Sequence, residues 1–318
     1  MSKALAGVDI GGTNTVIGLF DDSLTLVAKR TIPTVTSLPS RTDRPVQFLD
    51  QLAAEIVQLT KESGFKSGLQ AVGMGVPGKV DPVRGIALGA SNLGWFGVPF
   101  SREMSRRLGV AVRIDNDVRM YTLGEATAGA GKGCRNLICL TLGTGLAAGV
   151  IIDGRIVRGS DWYAGEIGHD TVQGVKYRCN CGKTGCLETV ASATGIARLA
   201  KEAVESGANT SLRGLEKITS YDVYRACANG DRTAKEIFQY VGETLGHKLA
   251  TIVYLLNPEM IIIGGGAAAA GEYLLDPIRN VIENHYTQPK KPIIRTGMLG
   301  EAAGLYGAVK FVLGQEHI

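Results

Sequence analysis

The chain has 318 residues, of which 45% are hydrophobic and 20% charged, with a net charge of +4. This length and composition describe one large or two ordinary globular domains. Neither the small charge nor any run of Lys or Arg provides the electrostatic footprint of a nucleic-acid binder. The 43 glycines gather at short turns, which suits an α/β protein whose backbone approaches a ligand at several places.

Asp9 stands where the apolar core of an export signal would lie, and no stretch approaches the apolar length that spans a bilayer. The expectation is a cytoplasmic protein without membrane contact, whose thiols stay reduced. The six cysteines then divide into a cluster, Cys179, Cys181 and Cys186, and three buried thiols, Cys134, Cys139 and Cys227.

In chain order, residues 4–10, 14–20 and 24–30 read as short strands joined by GGT and DDS turns. Residues 44–63 place Val46, Leu49, Leu52, Ala53, Ile56 and Leu59 at a helical period closed by Gly64. A buried strand over 69–76 leads into VPGKVDPVRG, which reads as loop. A helix over 99–108, a strand over 110–115 and a helix over 117–129 follow. The pattern then begins again, with strands over 136–143, 145–153 and 155–159. Helices are expected over 187–206, around 221–228, and over 232–256, 272–285 and 301–313, with strands at 259–266 and 292–296. No low-complexity linker separates the halves. The expectation is two α/β domains flanking a cleft. The small one covers 1–118 and is completed by the C-terminal helix 301–318. The large one covers 119–300 and carries the Cys-rich loop 161–188.

D-I-G-G-T-N (9–14) and L-T-L-G-T-G-L (140–146) echo one another, each with a Gly-Thr turn between antiparallel strands. Two such turns would hold a nucleotide's phosphates on backbone N–H groups, helped by the hydroxyls of Thr13, Thr15 and Thr144. A plain hairpin turn is the competing reading of each. Gly73-Met-Gly75-Val-Pro-Gly78 satisfies G-x-G-x-x-G, but Pro77, Pro82 and Gly85 forbid the helix that a dinucleotide site must open. Gly182-Lys183-Thr184 imitates the end of a phosphate loop, yet the first glycine of that motif would fall on Tyr177. Between Asp161 and Glu188, Cys179, Cys181 and Cys186 have C-x-C-x4-C spacing, with His169 ten residues upstream. This is a Cys3His set of the kind Zn2+ prefers, bracketed by Glu166 and Glu188. A structural metal there would turn polar side chains toward a substrate.

Four segments, D-I-G-G-T-N (9–14), D-N-D-V (115–118), L-G-T-G (142–145) and I-G-G-G (263–266), resemble the phosphate, connecting and adenosine segments of the actin-like ATPase (ribonuclease H-like) fold. The run from Leu140 through E-I-G-H, followed by C-N-C-G-K-T-G-C-L-E, resembles the signature of the ROK family, which comprises sugar kinases and related repressors. The resemblance covers essentially the whole chain in the right order.

The resemblance implies a role for each matching residue. Asp117 matches the catalytic base, which must reach the attacking hydroxyl, and Asn116 matches a sugar contact. A helix N-cap is the competing reading of Asp117. Glu166 and Glu188 match carboxylates that accept hydrogen bonds from sugar hydroxyls. Their competing readings are a solvated loop charge and a first-turn helix carboxylate. His169 matches a residue that ligates zinc with one ring nitrogen and faces the sugar with the other. In S-N-L-G-W (91–95), Asn92 matches a further sugar contact of glucokinase-type members, and Trp95 is either a sugar wall or core. Asp9 matches the acidic residue that holds Mg2+ of the Mg2+–ATP pair through water. Gly11, Gly12, Thr13 and Thr15, with Gly143, Thr144 and Gly145, match the phosphate turns, and Gly264, Gly265 and Gly266 the adenosine turn. A strand-to-helix turn is the alternative for Gly265.

Two departures stand out. The helix after the base reads Arg119-Met120-Tyr121 where the family has Asn and small residues, and Ala267–Ala270 replaces a common Ser. The resemblance implies an ATP-dependent hexose kinase acting on the 6-hydroxyl of glucose, with structural Zn2+, Mg2+ with ATP, and a homodimer. A kinase for N-acetylmannosamine, N-acetylglucosamine, fructose or allose is the near alternative. A sugar-sensing repressor is the remote one, because the eight residues before Asp9 leave no room for a DNA-reading helix-turn-helix.

Overall fold

The computed structural model describes residues 3–34, 43–90 and 93–317. The chain divides into two compact units. One comprises Met1–Gly133, Ile151–Ala164 and Leu299–Ile318, the other Cys134–Val150 and Gly165–Met298.

In the first unit, β1 (Ala4–Ile10), β2 (Asn14–Phe20) and β3 (Leu26–Pro33) form an antiparallel meander. After α1 (Asp43–Glu62), β4 (Leu69–Val76) joins β1 in parallel. β1 is buried almost throughout, as a strand covered on both faces must be. The stripe of α1 packs Leu49, Leu52, Ala53, Ile56 and Leu59 into the core, while Val46, at the start of that period, is exposed. Residues expected as loop form a small hairpin, β5 (Lys79–Asp81) with β6 (Ile86–Gly89). Asp81 Oδ1 closes its turn by accepting the N–H groups of Val83 and Arg84, and Val80 and Ala87 bury beneath it. Trp95 is fully buried, with ring centroids 5.0 Å from Phe48 and 5.3 Å from Phe100, and is therefore core. α2 (Phe100–Leu108) leads into β7 (Ala111–Asn116), parallel to β4, and α3 (Asp117–Ala128) follows at once.

A second five-stranded sheet repeats the order of the first. It contains β8 (Leu137–Leu142), β9 (Leu146–Ile152), β10 (Arg155–Ile156), β11 (Met260–Gly264) and β12 (Ile293–Thr296) in the order β10-β9-β8-β11-β12, matching β3-β2-β1-β4-β7. The echo seen in the sequence is thus an echo of topology. The helix expected over 187–206 is broken into α4 (Glu188–Ala191) and α5 (Ala193–Glu205). Ser192 causes the break: its backbone is extended and its hydroxyl accepts the Gly195 N–H, capping the new helix. α6 (Ser220–Ala228) precedes α7 (Arg232–Leu256), which buries Ile237, Val241, Leu245, Leu249 and Val253 along one stripe. α8 (Glu272–His285) packs against it. No helix among the described residues is long and apolar enough to cross a membrane.

α9 (Ala303–Val312) lies in the first unit, and so does α3, which the sequence reading placed beyond the boundary at 118. The reason is steric. Gly124 of α3 rests on the carbonyl of Ala303, and Gly307 of α9 on the carbonyl of Met120, so the two helices meet backbone to backbone. Gly307→Ala would drive a methyl group into the Met120 carbonyl, at an expected cost of about 3 kcal/mol. Urea unfolding checks this, and a cost below about 1 kcal/mol would contradict the backbone contact.

Candidate functional site

In the first unit, the carboxyl ends of three parallel strands meet in one place, where ligands of open α/β sheets bind. Strand register sets Asp9 of β1 beside Gly75 of β4, and Gly75 beside Asp115 of β7. A side chain on Gly75 would begin 3.1 Å from Asp117 Cα and 3.5 Å from Asp9 Oδ1, so the two aspartates converge over this glycine. Gly304 of α9 closes on Asp9 from another side. Burial, then the negative charges of Asp117 and Glu301, push the Asp9 carboxyl up to about 7.

Asn116, not Asp117, caps α3: its Oδ1 accepts the Arg119 N–H at 3.1 Å. Its Nδ2 donates to Gly78 O at 3.0 Å and to Asp117 Oδ1 at 2.8 Å. The amide expected to touch sugar is therefore engaged in holding the next residue. Asp117 Oδ1 also accepts the Val118 N–H at 2.9 Å, which keeps the carboxylate at the positive end of α3. In the first Gly-Thr turn, Gly12 and Thr13 are exposed, and Gly11 N donates to Asn14 O. Thr15 differs from expectation. Its hydroxyl is fully buried 2.8 Å from that of Thr34, which donates to Gly11 O, so Thr15 braces the turn from behind and presents nothing to a phosphate. Asn92 lies outside the described residues.

In the second unit, parallel β8 and β11 end side by side, with Gly264 paired to Thr141. This brings the Gly143–Gly145 turn next to Gly264–Gly266. Gly265 has φ 80° and lies against the backbone of Leu142, a contact that only glycine permits. Thr144 is exposed, and its carbonyl accepts from Thr194 Oγ1 at 2.8 Å.

The Cys-rich loop is tied to the same turn. Glu188, the first residue of α4, accepts the Leu146 N–H on Oε2 at 3.1 Å, and the Cys179 thiol donates to its Oε1 at 3.4 Å. Gly145 leaves room for that carboxylate: a side chain there would start 2.5 Å from Oε2. Glu188 thus joins turn and thiols, beyond the sugar-binding task expected of it. His169 turns Nδ1 toward Cys179 Sγ at 3.7 Å and Nε2 toward Glu166 Oε2 at 3.6 Å. Glu166 is exposed.

The donor atoms of His169, Cys179, Cys181 and Cys186 lie within 4.8 Å of one another, and the Sγ atoms of Cys181 and Cys186 are 3.6 Å apart. A tetrahedral site with metal–sulfur bonds of about 2.3 Å has edges of about 3.8 Å, so the set fits a tetrahedral divalent metal. Burial pushes the Cys179 thiol up to about 12, and the Lys183 N–H lowers Cys181. The sequence reading missed Gly75 and Gly304. Gly75 sits inside a motif properly rejected as a dinucleotide site, and only strand register reveals what it makes room for.

The ROK family model matches residues 5–315. The glucokinase of Halalkalibacterium halodurans is 37% identical over 98% of this chain and 95% of its own. The solved structure of a ROK family glucokinase from Streptomyces griseus in complex with glucose and AMPPNP shares 31% identity and covers 97% of this chain and 98% of that one, with TM-score 0.83. A ROK family transcriptional regulator, homologous to the E. coli MLC protein, reaches TM-score 0.89 at 25% identity, covering 99% of this chain and 80% of its own. The repeated sheet order and the two Gly-Thr turns are those of an actin-like ATPase fold, and the chain belongs to the ROK family.

Proposed function

We propose that the protein transfers the γ-phosphoryl group of ATP to the 6-hydroxyl of glucose. The observation that carries this reading is the convergence of Asp9 and Asp117 at the ends of three parallel strands, in a chain 37% identical to a glucokinase. Phosphoryl transfer asks little covalent chemistry of a protein; it needs positioning and charge stabilisation. Asp117, fixed by Asn116 and the α3 amide end, accepts the proton of the attacking hydroxyl. Asp9 would hold Mg2+, and the ion would supply the positive charge that offsets the phosphates. Gly11, Gly12, Thr13, Gly143, Thr144 and Gly145 offer backbone N–H groups and hydroxyls to the phosphates, and Gly264–Gly266 a side-chain-free bed for adenosine.

Glu166, His169 Nε2 and Glu188 receive sugar hydroxyls, with Asn92 as a further contact, while Asn116 acts by holding Asp117. His169, Cys179, Cys181 and Cys186 would hold a structural Zn2+, which would fix the tautomer of the imidazole whose Nε2 faces Glu166. The names of the relatives support glucose over an acetamido sugar. Family membership supports a homodimer acting in the cytoplasm.

Asp117→Ala should lower kcat in a coupled ADP-release assay with glucose by about 10³-fold, while glucose affinity by calorimetry changes little. Near-normal turnover would remove Asp117 from the role of base.

One zinc per chain is expected by elemental analysis. Chelation should lower Tm and raise KM for glucose while leaving KM for ATP within about twofold, and metal uptake should weaken as pH falls because the thiols must shed protons. A metal-free protein with unchanged Tm and glucose KM would contradict the brace.

Asp9 gives a pH prediction. Its folded value of about 7 exceeds its ordinary 3.8, so between these values the native state keeps a proton that the unfolded chain has lost. The contribution of this group to stability therefore falls as pH rises from about 4 to 7. Above that window, Asp9→Asn should stabilise the nucleotide-free protein by about 2 kcal/mol, with Mg2+–ATP stabilising the wild type and not the variant. Equal pH–stability curves for the two proteins would refute this.

A further inference from the structure

Arg119, one of the residues that depart from the family pattern, sits in a local arrangement with two unfavourable features that meet each other. Arg119 is in the first turn of α3, two residues after Asp117, and is 3% exposed. A cation there opposes the helix dipole, and its burial costs free energy. Asp115, fully buried, does not need it for neutralisation, because Arg158 Nε already donates to Asp115 Oδ2 at 2.7 Å. Across the cluster of Arg113, Arg119, Arg158, Asp115 and Glu316, three guanidinium groups face two carboxylates. The second feature is Trp162, a bulky residue at φ 64°, in the left-handed region that such side chains rarely adopt.

Arg119 joins the two. Its Nε donates to Asp115 Oδ1 at 2.7 Å, and its Nη1 donates to the Trp162 carbonyl at 3.2 Å. Nη2 lies 2.7 Å from the same Asp115 oxygen, without the alignment of a hydrogen bond. Asp115 Oδ1 also accepts the N–H of Asn116, the residue that caps α3 and holds Asp117. The neighbouring residues of the tether are clamped as well. Lys79 Nζ is 2.9 Å from Asp161 Oδ2 and lies over the Tyr163 ring at 4.2 Å. Four residues after Trp162 comes Glu166.

We propose that Arg119 is a positioning residue for the transfer: by bridging Asp115 and the Trp162 carbonyl it ties the α3 terminus that aims Asp117 to the segment that leads into Glu166. This rests on the kinase reading given above. Asn at this position is too short to span both partners. The arrangement makes the setting of the base and the course of residues 159–164 depend on one side chain.

The test combines steady-state kinetics with hydrogen exchange on Arg119→Met and Arg119→Lys. Arg119→Met keeps the stem and the Asp115–Arg158 pair. It should speed exchange in residues 159–164 and lower kcat/KM for glucose by about tenfold or more, with KM for ATP within about twofold. Arg119→Lys, which reaches one partner, should recover part of both effects. Asp117→Asn, as a control, should lose turnover yet exchange as the wild type in 159–164.

Wild-type exchange of 159–164 in Arg119→Met would overturn the proposal. So would a loss of activity that only tracks the fraction of folded protein. If Arg119→Met fails to fold, wild-type exchange and kinetics in Arg119→Lys would show that buried charge, not the tether, is what matters. Absence of glucose turnover in the wild type would instead count against the kinase reading, and the exchange measurement would still decide the tether.

Discussion

Two carboxylates held close together in a partly enclosed place set the terms for the first unit. Asp9 and Asp117 converge because Gly75 leaves the space between them open and Gly304 brings α9 up against Asp9. Burial first, and then the negative charges of Asp117 and Glu301, raise Asp9 to about 7. A divalent cation held there would offset the same charges. The backbone contact of α3 with α9, the Asn116 cap and the buried charges around Asp115 all keep this pair in register.

The second unit is organised by a different carboxylate. Glu188 accepts from the Leu146 amide and from the Cys179 thiol, so the turn beside the glycine bed and the thiol cluster share one anchor. His169 carries the same logic outward, one nitrogen toward the thiols and the other toward Glu166. The geometry of the thiol–imidazole cluster and the direction of the polar side chains are therefore one property of the loop. The loop also packs Ile167, Val172, Val175 and Tyr177 against the core of the second unit.

Much of this was legible in the sequence, for identifiable reasons. Every long helix and nearly every strand was marked by apolar period and turn residues, and the repeated Gly-Thr turns announced the repeated sheet. The β5–β6 hairpin was missed because Asp81 closes a turn that Pro82 and Gly85 make look like plain loop. The break at Ser192 was missed because a single capping hydroxyl interrupts an otherwise helical pattern. The grouping of α3 depends on glycines meeting carbonyls far along the chain, which no local pattern carries. At the site, residue types were readable but hydrogen-bond commitments were not. Thr15 turns inward to Thr34, Asn116 takes the cap read for Asp117, and Arg119 finds partners 4 and 43 residues away.

The central claim, transfer from ATP to the 6-hydroxyl of glucose, is tested most directly by competition among sugars. Glucose, N-acetylmannosamine, N-acetylglucosamine, fructose and allose would be mixed in equal amounts with limiting Mg2+–ATP and the purified protein, and the products identified by phosphorus–proton correlation NMR. The account predicts that glucose takes most of the phosphate and that the phosphorus couples to the C6 protons. Phosphate found chiefly on another sugar, or on another carbon of glucose, would contradict it.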